Sequence, residues 1–294
     1  MRLQGCGTAL VTPMTASGEV DYPKLRALVE WQIAEGIHFL VPCGTTGEAA
    51  TLSPDERVQV VRTVIEVARG RVRIVAGATS NDTRAATDEA KRMAQAGADY
   101  ILSATPYYNK PTPEGLYRHF GAVADAAGRP VVLYNVPGRT SVNMDAATTL
   151  RLASRAGIAG VKEASGNLGQ IMDVIQGRPE HFSVLSGDDA IALAVVAAGG
   201  DGLVSVASNE APGLMARLID AALKSDLTAA RQIHYRLLAL MNANFVESNP
   251  IPVKWALQAM GKIDAGIRLP LVPLSEAKRP ALLAALQEAG IATQ

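Results

Sequence analysis

Four stretches of the chain share one pattern of polar and apolar positions: a helix-like run, a glycine, then a short apolar segment. They are AEGIHFLVPC at 34–43, QAGADYILSA at 95–104, RAGIAGVKEA at 155–164 and AAGGDGLVSV at 197–206. A glycine after a helix supplies the left-handed residue at which the chain leaves the helix. The apolar segments that follow suit strands covered on both faces, as in a parallel sheet. Apolar runs at 6–11, 72–76, 131–136 and 182–185 bring the predicted strands to eight.

Helices fill the gaps. Ser53-Pro54-Asp55-Glu56 reads as a helix start, with Ser53 as N-cap, Pro54 in the first helical position and Glu56 closing a capping box. Val58, Val61, Ile65 and Ala68 then recur at helical spacing. Thr112-Pro113-Glu114 opens another helix, and Leu25, Leu28, Val29 and Ile33 give a third its apolar face. Eight strands alternating with helices, each connection too long for a hairpin, predict an α/β fold of the (β/α)8 TIM-barrel type. A doubly wound sheet would need a glycine-rich dinucleotide turn after an early strand, and GxGxxG does not follow the first one. From about Ala211 onward no further strand is expected. Segments 211–223, 227–242, 250–260 and 275–289 read as helices, the first closing the barrel and the others forming an appended C-terminal region. The expected division is a catalytic barrel at 1–224 and a C-terminal helical region at 225–294.

Composition narrows the function classes. The 294 residues are 48% hydrophobic, enough for a large core, and 28 Lys+Arg balance 28 Asp+Glu. With no basic excess, nucleic-acid binding has no electrostatic footing. Zero net charge offers little repulsion between copies, which suits self-association. Two cysteines, Cys6 and Cys43, each in a predicted strand, are too few for a disulfide scaffold. Four scattered histidines form no HxH or HExxH pattern, so no zinc site is expected. MRLQGCGTALVTP lacks a basic start followed by a long apolar run, and no apolar run is long enough for a bilayer. A cytoplasmic protein with no membrane partner is the expectation.

In a barrel of this type the chemistry sits at the C-terminal ends of the strands. After the second predicted strand comes GTTGEA at 44–49, with glycines for close backbone approach and Thr45 and Thr46 to hold a carboxylate, or an ordinary polar turn. It lacks the P-loop lysine. After the fourth come Tyr107 and Tyr108, which as a pair more often pack than transfer protons. The fifth ends in Tyr134 and is followed by Arg139, either a carboxylate clamp or a surface ion-pair partner. The sixth ends in Lys162-Glu163, and the seventh in SGDDA, where Asp188 and Asp189 are expected to cap the next helix. A lysine at a buried strand end is an ion-pair partner, a snorkelling side chain, or an amine that burial favours in its neutral, nucleophilic form. Lysine, tyrosines, threonines and an arginine together suit imine chemistry on an oxo-acid.

GTTGEA, TPYYNKPTPEGLYRHF, YNVPGRT, GVKEASGN and SGDDA occur in this order at these strand ends. Together they resemble the dihydrodipicolinate synthase family of class I pyruvate-dependent aldolase-type enzymes, from about Gly5 to Leu274. The resemblance implies a (β/α)8 barrel with C-terminal helices, assembled as a homotetramer of two tight dimers. It implies condensation of pyruvate with L-aspartate 4-semialdehyde to 4-hydroxy-tetrahydrodipicolinate, toward diaminopimelate and lysine, with no metal or organic cofactor. Lys162 matches the imine-forming lysine and Tyr134 the proton-shuttling tyrosine. Thr45 matches the threonine that links Tyr134 to a second tyrosine, here Tyr108, which in the family enters the neighbouring subunit's site. Thr46 matches the residue that holds the pyruvate carboxylate, and Arg139 the arginine that receives the carboxylate of the semialdehyde. Gly187 and Val204 match backbone positions lining the site.

Lysine-inhibited relatives bind lysine at the tight-dimer interface. Asn81 and Tyr107 match two of its polar contacts, but the acidic contact is Ala85 here, and Ala49, Pro54 and Arg57 stand where serine or histidine is common. A bound cation without its carboxylate is poorly stabilised, so weak or absent lysine inhibition is expected. The nearest alternative is a sibling Schiff-base enzyme acting on another aldehyde, such as a sialic-acid lyase or a keto-deoxy-sugar-acid aldolase or dehydratase. The arginine in YNVPGRT favours an aldehyde that carries a carboxylate. A non-catalytic oxo-acid-binding barrel would lack the nucleophile or the proton relay, and both are present.

Overall fold

The computed structural model describes residues 2–293. Its eight strands are β1 (Gly5–Ala9), β2 (Phe39–Val41), β3 (Arg73–Gly77), β4 (Tyr100–Ala104), β5 (Val131–Asn135), β6 (Ile158–Glu163), β7 (Ser183–Ser186) and β8 (Gly202–Ser205). All pair in parallel, and β1 pairs with β8, so the sheet closes into a barrel in sequence order. The four glycines read as helix stops all have positive φ: Gly36 at 91°, Gly97 at 107°, Gly157 at 84° and Gly199 at 105°. The predicted strands are longer than the observed ones where a side chain takes over from the ladder. Beyond β1, the Val11 amide donates to the Asn209 side chain rather than to a strand. Ahead of β2, His38 Nδ1 accepts from the Cys6 amide.

The crossover helices are α1 (Tyr22–Ala34), α2 (Pro54–Ala68), α3 (Thr83–Ala96), α4 (Pro113–Ala127), α5 (Pro137–Thr140), α6 (Ala146–Ala153), α7 (Leu168–Gly177) and α8 (Ala192–Ala197). The Ser53 capping box forms in both directions: Glu56 N donates to Ser53 Oγ at 3.2 Å, and Ser53 N donates to Glu56 Oε2 at 2.8 Å. Thr112 caps α4 through Gly115 N. The one-turn helix α5, which carries Arg139, lies in a segment that the sequence pattern reads only as a loop.

Strand alternation separates two apolar clusters. One face of each strand packs onto the helices, forming the large core. The other face fills the barrel with Phe39, Val75, Leu102, Val132, Leu185 and Val204. Phe39 occupies the space that β1 leaves open at Gly7, where a Cβ would lie 2.0 Å from its ring. After β8 come α9 (Pro212–Leu223), α10 (Leu227–Ala243), α11 (Ile251–Ala259) and α12 (Arg279–Ala289). The predicted helix at 275–289 divides into a 3-10 turn at Glu276–Lys278 followed by α12. α10 packs between α9 and α12, and the 244–250 segment beyond it turns back over the strand ends.

Candidate active site

Alternation along β6 sends Lys162 into the barrel and Glu163 out of it. Glu163 is fully buried and accepts from Asn135 Nδ2, Gln170 Nε2 and the Ser165 amide, so the charged pair at the strand end splits into two environments. Lys162 is 6% exposed and makes no ion pair with any described residue. Its Nζ lies 4.0 Å from the ring centroid of Tyr134, its register neighbour on β5. When protonated it is held there by the ring face, a weaker partner than a carboxylate. The stem of Lys162 packs on Gly187, where a Cβ would come within 3.0 Å of Cε, and any other residue would push the amine aside. Val204 is buried in the same interior cluster as Tyr134 and Leu185.

The 44–49 loop is tied down at Gly47 and Glu48. Thr12 Oγ1 donates to the Gly47 carbonyl at 2.7 Å. Glu48, buried and at φ 53°, forms an ion pair with Lys254 at 2.5 Å and accepts from the Arg268 amide. The loop thereby presents Thr45 outward and Thr46 inward. Thr46 is buried, and its Oγ1 accepts from Asn249 Nδ2 at 2.9 Å. Arg139 donates from Nη2 to the Asn249 carbonyl at 3.2 Å and forms no ion pair with a described residue, which leaves most of its guanidinium available. A cavity of about 750 Å³ opens here, lined among others by Thr45, Tyr134, Arg139 and Asn249. Lys162, Thr46, Gly187 and Val204 are not on its wall, whereas Tyr134, the neighbour of the Lys162 amine, is.

The structure therefore gathers Lys162, Tyr134, Gly187 and Val204 at the strand ends, with Thr45 and Arg139 around the opening and Thr46 buried beside Asn249. It does not bring Tyr108 to them. Tyr108 is 88% exposed at φ 72° and does not line the cavity of its own chain, whereas Tyr107 does. No hydrogen bond joins Thr45 and Tyr134 within the described residues. Asp188 does serve its own turn, accepting from Ala190 N. Asp189 does not cap α8. It accepts from Ser205 Oγ and from the Val206 and Ala207 amides, clamping the end of β7 to the end of β8, and burial raises its carboxyl above the usual range. Cys43 lies just past β2 rather than in it, and burial pushes its thiol up to about 12, so it is unreactive. Residues the sequence reading passed over are Glu48, Asn249 and Lys254. Their signal was weak: one acidic residue in a polar loop, and NPIPVK in an apolar helical run.

The sequence profile of the Dihydrodipicolinate synthetase family matches residues 2–289. A 4-hydroxy-tetrahydrodipicolinate synthase of Koribacter versatilis (strain Ellin345) is 57% identical over 292 residues, covering 99% of this chain and 97% of that protein. The crystal structure of the chloride-inhibited dihydrodipicolinate synthase from Acinetobacter baumannii, complexed with pyruvate, superposes with a TM-score of 0.97 at 46% identity, covering 98% of this chain and 99% of that one. A structure described as the first monomeric dihydrodipicolinate synthase variant superposes with a TM-score of 0.96 at 40% identity, covering 99% of this chain and 98% of that one. A full-length profile match, high identity and the same barrel show that the chain belongs to the dihydrodipicolinate synthase family.

Proposed function

We propose that this chain condenses pyruvate with L-aspartate 4-semialdehyde to give 4-hydroxy-tetrahydrodipicolinate, through an imine on Lys162. The observation that carries the mechanism is a buried lysine amine without an ion-pair partner, facing a tyrosine ring at a barrel strand end. A lysine amine that no carboxylate engages is open to attack a keto carbon. The free amine adds to C2 of pyruvate, and water leaves to form the imine. Tyr134, the nearest phenol, relays the protons. Loss of a C3 proton gives the enamine, whose C3 bonds to the aldehyde carbon and turns its oxygen into the 4-hydroxyl. The semialdehyde's amino group then replaces Lys162 at the imine carbon, closing the ring and restoring the enzyme. One water is released and no electrons change hands, so the reaction balances without a redox cofactor.

Thr46 holds the pyruvate carboxylate through its hydroxyl and amide. Arg139 receives the carboxylate of the semialdehyde at the opening, where two parallel N–H donors suit a planar anion. Gly187 and Val204 shape the wall behind the amine. Tyr108 completes the relay through Thr45 in the site of a second copy; its exposure and its absence from the wall of its own cavity support that role. Assembly as a homotetramer of two such dimers, in the cytoplasm, follows from this reading. Sedimentation of wild type and Tyr108→Phe tests it, because the exchange makes the subunit pair the active unit.

Borohydride trapping with pyruvate, read by intact and peptide mass spectrometry, tests the chemistry. The expected result is a reduced pyruvate adduct on Lys162 that disappears when the semialdehyde is supplied first. An adduct that does not turn over with the semialdehyde would move the second substrate to another aldehyde, and no adduct would sink the imine reading. Feedback by lysine is expected to be weak or absent. Ala85 supplies no carboxylate, and the Arg57 guanidinium stands on the same cavity wall, paired with Glu89 at 3.3 Å. Half-inhibition at submillimolar lysine would contradict this.

A further inference from the structure

Asn249 lies 203 residues from Thr46 and 110 from Arg139 in sequence, yet it touches both. Its side-chain amide donates to Thr46 Oγ1, and its main-chain carbonyl accepts from Arg139 Nη2. Asn249 and Thr46 are 5% and 3% exposed, so water does not compete for their contact. Asn249 Oδ1 is buried and has no partner among the described residues.

The direction of the Thr46 contact matters. A threonine hydroxyl that receives a hydrogen bond keeps its own proton to donate elsewhere. With the amide turned over, Oδ1 would take that proton and Thr46 would have none to offer an anion. The turned orientation would also leave both amide N–H donors without partners, and orphaned buried donors are rarer than orphaned carbonyls. The observed orientation is therefore the favoured one, and it leaves the Thr46 proton free.

We propose that Asn249 is a positioning residue for the pyruvate subsite: its side chain keeps the Thr46 hydroxyl proton directed at the substrate carboxylate, while its backbone aligns Arg139. This rests on the imine reading above. It makes a residue of the C-terminal region part of the machinery of the barrel, and it separates the two substrates, because a side-chain substitution removes the Thr46 contact and leaves the carbonyl on Arg139.

The test begins with borohydride trapping of the wild-type protein, followed by steady-state kinetics of Asn249→Ala, Asn249→Asp, Thr46→Val and the Thr46→Val/Asn249→Ala pair, each with a thermal midpoint. Loss of one buried hydrogen bond predicts a KM for pyruvate raised about tenfold in Asn249→Ala, with the KM for the semialdehyde within about twofold. Asn249→Asp is near-isosteric and keeps the test open should the alanine variant fail to fold. It is expected to raise the pyruvate KM further, since a carboxylate there takes the Thr46 proton and faces the pyruvate anion. In the Thr46→Val background, Asn249→Ala adds nothing more. An equal rise in both KM values with a lowered thermal midpoint, or full additivity with Thr46→Val, would overturn the inference and leave Asn249 as a brace for its segment. A wild-type adduct on Lys162 with unchanged pyruvate KM in both Asn249 variants overturns this inference alone; no wild-type adduct overturns the imine reading and this with it.

Discussion

Lys162 and Lys254 are almost equally buried, at 6% and 5% exposure, and their surroundings are opposite. Lys254 meets the carboxylate of Glu48 at 2.5 Å and donates to the Thr12 carbonyl at 3.1 Å. Burial lowers its tendency to hold a proton, and Glu48 works against that. Lys162 has a tyrosine ring in front of it and no carboxylate. The first arrangement stabilises the charged amine and joins α11 to the 44–49 loop. The second leaves the amine unneutralised, which is what the proposed imine mechanism needs. Burial alone does not distinguish these two lysines; the partner does.

Exchanging the two lysines in turn should give opposite losses. Lys162→Ala is expected to lower kcat by a factor on the order of 10³ or more while leaving the thermal midpoint nearly unchanged, because no ion pair is lost. Retained turnover, or a pyruvate adduct elsewhere in that variant, would break the comparison. Lys254→Met strands the Glu48 carboxylate in the interior, a change expected to cost about 3–5 kcal/mol. Equilibrium unfolding in urea reads that loss directly. The borohydride adduct on Lys162 should still form in whatever fraction remains folded. A Lys254→Met protein as stable as wild type would show that the pair contributes little.

A third buried group sharpens the comparison from the acidic side. Glu210 is 2% exposed and has no cation; its Oε2 accepts from Asn244 Nδ2 at 2.7 Å, while Glu210 Oε1 and Asn244 Oδ1 both lack partners. Burial raises its carboxyl well above the ordinary 4.5. The folded chain therefore holds this proton to higher pH than the unfolded chain does. Its contribution to stability is full below the unfolded value and is lost as pH rises through the folded one. Glu210→Gln cannot ionise and can donate to Asn244 Oδ1. Its thermal midpoint should match the parent near pH 4 and exceed it increasingly toward neutral and alkaline pH, in the scale of about one buried hydrogen bond or more. A midpoint difference that does not vary with pH would show that folding leaves the proton affinity of Glu210 unchanged.

Elements with local causes were readable along the chain. The capping box at Ser53 and Glu56 depends on residues three apart. The helix stops at Gly36, Gly97, Gly157 and Gly199 depend on single residues that tolerate positive φ. The eight apolar runs depend on a strand's two-residue period under cover on both faces. Lys162 was legible for the same reason, as a charge at an inward position of a run otherwise apolar. The short helix that carries Arg139 was not, because four residues carry too little periodicity. Nor was the role of Asp189, whose donors lie 16 to 18 residues away on β8 and the turn after it.

Local order, burial direction and the identity of the strand-end lysine thus follow from periods of two and of 3.6 residues, and periodicity is a property of the chain alone. Partner choice is different. That Lys254 meets Glu48 across 206 residues, that Asn249 meets Thr46 and Arg139, and that Lys162 faces Tyr134 rather than a carboxylate were decided only when the barrel closed β1 on β8 and the C-terminal helices folded back over its open end. Side-chain contacts act over a few ångströms, so which residues share them depends on where the whole fold brings distant backbone together.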